Sequence, residues 1–132
     1  MRDLEKTKEF FINDRYAMVT TGIEIEAVDE NYARCSLTLD DRHKNATGQV
    51  MGGVMYTLAD FVFAVSTNVS EEKPTVTVVS QITYLGVCKG KKLIGESKLL
   101  KDGRRNCFYQ INITDELGNQ VAVVNTNGVH LG

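Results

Sequence analysis

Asp60 is the side chain in this sequence that most requires a chemical explanation. It is the only charged residue in residues 52–69, a run that is otherwise apolar or neutral. A carboxylate buried without a partner costs several kcal/mol or has its pKa raised. Asp60 therefore either lies on a narrow exposed stripe or faces a cleft, where it would serve as general base or nucleophile. The second feature is Gly52-Gly53 at the head of the same run. The first turn of a helix presents free N–H groups and the positive end of its dipole. Glycine leaves that backbone open to a ligand. Such a turn can hold an anion or a developing oxyanion, although two glycines can equally serve only to turn the chain sharply into the helix. Asn45, just upstream, has an amide that can donate to a carbonyl or place a water. Asn is also a residue type that favours turns.

Spacing links the two strongest candidates. In a helix, Asp60 would stand about 12 Å along the axis from Gly52. One small reacting group cannot touch both within one chain. Joint action on one carbon therefore predicts a dimer with two composite sites across a two-fold axis. The other reactive side chains offer less. His43 reads as an exposed loop residue, and His130 as structural or surface. Cys35, Cys88 and Cys107 fall in or beside strand patterns with no Cys-His arrangement. Ser66 and Thr67 lack the Gly-x-Ser-x-Gly context of a serine hydrolase. Lys89, Lys91 and Lys92 cluster in one predicted turn, and Lys101, Arg104 and Arg105 in another. These are either ordinary solvated charge or a local patch for the phosphates of a ligand.

The elements that must position these residues follow from hydropathy period. Residues 4–12 carry Leu4, Lys8 and Phe11 on one side and predict a short amphipathic helix within residues 1–14. From Ile23 the period becomes two, predicting a hairpin of strands around residues 23–27 and 33–39. Residues 40–49 are polar and predict a loop. Residues 52–69 do not alternate and contain no Gly or Pro after Gly53. They predict a long helix, apolar all round and hence buried, that ends before the single proline, Pro74. Strand patterns then fill residues 75–85, 93–100, 106–114 and 120–129, with turn signals at Asp102-Gly103 and Leu117-Gly118-Asn119. One buried helix wrapped by an antiparallel sheet, an α+β architecture, is the economical packing.

Composition narrows the frame further. The chain has 132 residues, enough for one domain over residues 1–132. With 15 basic and 17 acidic residues the net charge is −2, which argues against a general nucleic-acid binder. No apolar run approaches the roughly 20 residues that span a bilayer, and the N-terminus lacks a signal-peptide pattern. Three cysteines without a Cys-x-x-Cys pair disfavour a disulfide framework and a cysteine-rich metal site. A cytoplasmic protein with no membrane partner is the expectation.

The run Asn45-Ala46-Thr47-Gly48-Gln49-Val50-Met51-Gly52-Gly53, followed by Leu58-Ala59-Asp60, resembles the signature of hotdog-fold acyl-CoA thioesterases of the PaaI-like type. Weaker likeness extends through residues 79–84, the turn at residues 102–105 and residues 115–122. The family pattern is Asn, Gly, His-Gly-Gly and Leu-x-Asp at these spacings, and here Met51 stands in place of the histidine. The resemblance implies a long helix inside a curved antiparallel sheet, and a homodimer that often pairs into a homotetramer. It implies Asp60 as nucleophile or general base, the Gly52 N–H as oxyanion donor, and Asn45 and Thr77 as residues that orient the thioester or the water. Gly53, Lys89, Arg104 and Arg105 would bind coenzyme A. The coenzyme would enter as part of the substrate, with no further cofactor and no metal. A dehydratase would need a histidine paired with an acid near the helix, and neither His43 nor His130 stands at such a position. The other reading is a non-catalytic acyl-CoA-binding or regulatory domain.

Overall fold

The sheet of this protein is organised around helix α2, Gly52–Thr67. The computed structural model describes residues 1–70 and 74–132. Helix α1 (Leu4–Phe11) precedes strands β1 (Glu24–Asp29) and β2 (Tyr32–Thr38). After α2 come β3 (Thr75–Tyr84), β4 (Lys92–Asp102), β5 (Asn106–Asp115) and β6 (Gln120–His130). The strands form one six-stranded sheet in the order β1-β2-β4-β5-β6-β3, with every neighbouring pair antiparallel. This is the helix-in-sheet architecture expected from the sequence.

Leu58, Val62 and Val65 of α2 are fully buried against the inner face. Each such side chain contributes about 1.5–3 kcal/mol by leaving water. The close seating depends on two glycines in the sheet. A Cβ at Gly95 on β4 would stand 2.9 Å from Val62 Cγ2 and 3.1 Å from Leu58 Cγ. At Gly128 on β6 it would stand 2.5 Å from Phe63 Cζ and 3.0 Å from the Val76 carbonyl oxygen. Among the described residues, a polar tie across this interface is satisfied. Ser66 Oγ donates to the Val62 carbonyl (2.7 Å) and meets Ser97 Oγ on β4 (2.8 Å), which accepts from the Ala33 N–H on β2 (3.0 Å).

The sheet does not enclose α2 on every side of the single chain. Gly53 and Asp60 are exposed, and Thr57, Ala64 and Thr67 are half-buried. Their spacing of three to four residues makes one open stripe. The helix also ends two residues earlier than the sequence pattern suggests. Asn68 departs from helical geometry, and its side-chain amide donates to the Ala64 carbonyl at 2.8 Å. Arg2 Nη1 donates to the Asn68 carbonyl at 2.7 Å, so the N-terminal segment closes the end of α2. Helix α1 is capped by Asp3, which accepts from the Lys6 N–H, and it packs Phe11 edge-on against Phe61 of α2 at 5.5 Å.

Tyr16–Thr21 forms a π-helical turn that hydropathy did not reveal. Its terminal carbonyls are satisfied from the loop after β2. Arg42 Nη1 donates to the Val19 and Thr20 carbonyls (3.2 and 3.0 Å), and His43 Nε2 donates to the Thr21 carbonyl (2.7 Å). Those side chains lie more than twenty residues downstream, beyond the reach of a local pattern.

Asp115 orders the loops at the other side of the sheet. It is 2% exposed, and its two oxygens accept the N–H groups of Lys89, Gly90, Leu117 and Asn119 and the Asn119 side-chain amide. Burial opposes the charge, but the hydrogen bonds from Asn119, Lys89 and Leu117 outweigh it and bring the pKa from 3.8 down to about 2.

Two outcomes follow from these contacts. Gly128→Ala should lower stability by about 1–3 kcal/mol in equilibrium denaturation, because the methyl group meets a buried ring and a backbone carbonyl. Asp115 contributes stability in its ionised form, so the contribution is full above the unfolded pKa near 3.8 and is lost as pH falls through about 2. Denaturation of wild type and Asp115→Asn should show a constant stability gap from pH 7 down to about 4 that closes toward pH 2.

Candidate active site

Gly52 is the first residue of α2, and no side chain caps the helix there. The N-terminal N–H groups and the positive dipole end are therefore available to a ligand. The turn before it is held by backbone contacts. Met51 N–H donates to the His43 carbonyl at 2.8 Å, and the Met51 carbonyl accepts from Val54 N–H at 3.0 Å. The Met51 side chain is 55% exposed, so this residue supports the turn only through its main chain.

His43 supplies the support beneath. It is buried rather than exposed as the sequence pattern suggested. Its Nδ1 accepts the Asp40 N–H at 3.0 Å while Nε2 donates to Thr21. Both ring nitrogens are thus committed to the backbone, and the residue fixes the loop that delivers Gly52. Asn45 has a similar local task. Its Oδ1 accepts from Thr47 N–H, Thr47 Oγ1 and Gln49 N–H at 2.8–3.1 Å, which makes it the organiser of the loop at residues 45–49. Its Nδ2 makes no hydrogen bond to another described residue and stays exposed near the helix start.

A hollow of about 320 Å³ opens at Gly52, lined by Gln49, Val50, Met55, Tyr84, Val87 and Cys88 among others. Apart from the Gln49 amide and the Tyr84 hydroxyl, its side chains are apolar. Lys89 follows Cys88 directly and is fixed through its N–H to Asp115 at 3.0 Å. A second hollow of about 460 Å³ lies at the other end of the molecule, among polar residues including Thr67, Thr75, Asp102 and His130. It is larger but does not include Gly52, which lines the first hollow; Asp60 lines neither.

Asp60 lies on the open stripe of α2. It keeps solvent contact, yet the protein around its carboxyl, and after that the charge of Asp14, raises its pKa above the ordinary carboxylate value. Asp14, in the segment between α1 and the π-helical turn, is a neighbour that sequence spacing gave no means of finding. Thr77 is exposed on β3 beside a bulge, where the register with β6 shifts between Thr77 and Val79. The strand runs from the α2 C-terminal end at Thr75 to the Gly52 end at Tyr84. Thr77 is therefore roughly 23 Å along β3 from Tyr84.

The single chain thus brings together Gly52, Gly53, Asn45 and Lys89 at one end and separates them from Thr77, Arg104 and Arg105. Arg104 and Arg105 line a hollow with Val129, His130 and Leu131 beyond the far end of β4. That end is tied across three strands. His130 Nε2 donates to Asp102 Oδ1 on β4 (2.8 Å), and Nδ1 lies 2.7 Å from Thr75 Oγ1 on β3. His130 is structural, as expected, but through partners distant in sequence.

Comparison with known proteins agrees with this architecture. Residues 47–122 match the family model of the Thioesterase superfamily. Human acyl-coenzyme A thioesterase 13 is 27% identical over 100 residues, covering 74% of this chain and 71% of that protein. The Escherichia coli PaaI protein of the phenylacetic acid degradation operon superposes with a TM-score of 0.84 at 21% identity, over 98% of this chain and 97% of its own. A hypothetical thioesterase of Streptococcus pneumoniae, solved with coenzyme A, superposes with a TM-score of 0.81 at 22% identity, over 92% and 97%. The fold is that of the hotdog thioesterases, and the chain belongs to the Thioesterase superfamily.

Proposed function

We propose that the chain is an acyl-CoA thioesterase, which hydrolyses R–CO–S–CoA to the free acid and coenzyme A at composite sites between two copies. The observation that carries this reading is the placement of Asp60. It lies on the one open stripe of α2, about two turns from an uncapped Gly52 N–H and out of reach of it in the same chain. A second copy related by a two-fold axis would bring its Asp60 to the first copy's Gly52. The edge strand β3 favours such a copy. Among the described residues it pairs only with β6, its sequence Thr-Val-Thr-Val-Val-Ser-Gln-Ile-Thr-Tyr carries no charge, and Val76, Val78 and Val79 are 43–58% exposed. An uncharged open edge is suited to pairing with another strand. Antiparallel pairing of two β3 strands would also carry Thr77, Arg104 and Arg105 of one copy toward the Gly52 end of the other. Such a homodimer could pair again into a tetramer.

In this site the Gly52 N–H, at the positive end of α2, stabilises the oxygen of the thioester carbonyl as charge develops on it. Asp60 of the second copy takes a proton from the attacking water or attacks the carbon itself. Thr77 and the free Asn45 amide orient the water and the carbonyl. The thiolate departs readily, so no strong acid is required at the sulfur. Gly53, Lys89, Arg104 and Arg105 receive the coenzyme phosphates. The relative named acyl-coenzyme A thioesterase and the structural neighbour holding coenzyme A support this choice of substrate. The three cysteines are free, which fits a reducing cytoplasm. Met51, which offers neither a strong donor nor a titrating group, favours one alternative, an acyl-CoA-binding domain without turnover.

Thiol release from a panel of acyl-CoAs separates the two readings. Wild type should release thiol, and Asp60→Asn should lose roughly 10²- to 10⁴-fold in rate. Binding without release by either protein would establish the alternative. The ionised carboxylate is the active form and its pKa is raised, so kcat/KM should fall on the acid side with a midpoint above 3.8. Mixed dimers give a separate check on the shared site. Asp60→Asn and Gly52→Val chains, each inactive alone, should regain activity when refolded together, since one of the two sites then has both groups intact. Continued inactivity of a verified mixed dimer would place both groups in the same chain.

A further inference from the structure

We propose that the Tyr84 hydroxyl is a second hydrogen-bond donor to the oxyanion, acting beside the Gly52 N–H. This rests on the thioesterase reading above and adds a catalytic residue to it. Tyr84 is the last residue of β3, and its phenol lies directly over Gly52. A Cβ built on Gly52 would stand 2.6 Å from Tyr84 Oη and 2.9 Å from Cζ. With standard backbone dimensions, Oη is therefore within about 5 Å of the Gly52 nitrogen. Two donors at that separation can both reach one oxygen at roughly 2.7–3.1 Å, the geometry an oxyanion needs.

Three further observations point the same way. Tyr84 and Gly52 line the same apolar hollow, so a carbonyl held there would meet the hydroxyl and the N–H together. The Tyr84 ring is 53% exposed, and its hydroxyl donates to no other described residue, so the donor is uncommitted. The residue directly before Gly52, and the histidine beneath it, offer no competing donor. Met51 supplies none, and both nitrogens of His43 are engaged with the backbone. The same closeness gives glycine at position 52 a role: a side chain there would push the phenol away from the N–H.

The chemistry balances without transfer of the phenol proton. As water bonds to the thioester carbon and gives a proton to the Asp60 carboxylate of the second copy, or as that carboxylate bonds directly to form an anhydride that water then hydrolyses to the free acid, the carbonyl π pair moves onto oxygen. Tyr84 O–H and Gly52 N–H donate to that oxygen and keep their protons. The pair then re-forms the carbonyl, the C–S bond breaks, and the sulfur leaves with its electrons as thiolate.

Steady-state hydrolysis of hexanoyl-CoA and phenylacetyl-CoA by wild type, Tyr84→Phe and Asp60→Asn tests the assignment, with thermal unfolding of each protein as a control. Tyr84→Phe keeps the ring and removes only the donor. Its kcat should fall by about 10²-fold, with KM changed less than about twofold and an unchanged unfolding midpoint. Wild-type kcat in Tyr84→Phe, with Asp60→Asn inactive, would overturn the role of Tyr84 and leave the thioesterase reading standing. A raised KM at unchanged kcat would make Tyr84 a substrate-binding residue only, which also overturns it. If wild type releases no thiol, both readings fall together.

Discussion

The contact between α2 and the concave face of the sheet is the constraint on which the rest of this structure depends. Only where β4 and β6 present glycine can Leu58, Val62 and Phe63 settle deeply enough to close the core. That seating fixes the helix axis relative to every strand. It then dictates which face of α2 is left uncovered, and it places Asp60 on that face. The same rigid body carries Gly52 at its N-terminal end, so the placement of Gly52 and Asp60 along one helix is set by packing and not by loop geometry.

A site of this kind places unusual demands on the helix start. The backbone N–H groups must stay free of side-chain caps, and the turn must still be held firmly. Here the support comes from underneath. His43 grips Thr21 and Asp40 with its ring and Met51 with its carbonyl, and Asn45 folds the loop at residues 45–49 around its own oxygen. On the opposite wall Asp115 gathers the backbone around Lys89 and Gly90. Together these contacts hold the uncapped N–H groups of the helix start in fixed positions.

Much of the architecture was legible in the sequence because it is written in local periods. Alternation marked the strands, its absence marked α2, and Pro74 and the paired turn residues marked the breaks. The candidates for chemistry stood out where they broke a pattern: one charge in an apolar helix, two glycines at its head. What the sequence concealed depends on contacts between distant segments. Nothing near His43 announces that its partner is Thr21, and nothing near Asp60 announces Asp14. The π-helical turn at Tyr16–Thr21 was hidden for the same reason, since its carbonyls are satisfied by Arg42 and His43. Nothing near Tyr84 announces Gly52; only the fold brings its hydroxyl over that glycine.

The strand order has a consequence for how the chain is made. β3 precedes β4, β5 and β6 in the chain, yet among the described residues its strand partner is β6 alone. At typical translation rates of about 5–20 residues per second, the uncharged segment Thr75–Tyr84 waits on the order of seconds for its partner. During that interval it is an extended, valine-rich stretch with both edges open, the kind of segment that nucleates intermolecular pairing. Its freedom from charge suits the mature edge and burdens the nascent chain. The arrival of β6, more than collapse around α2, is therefore the event that gives this strand its partner.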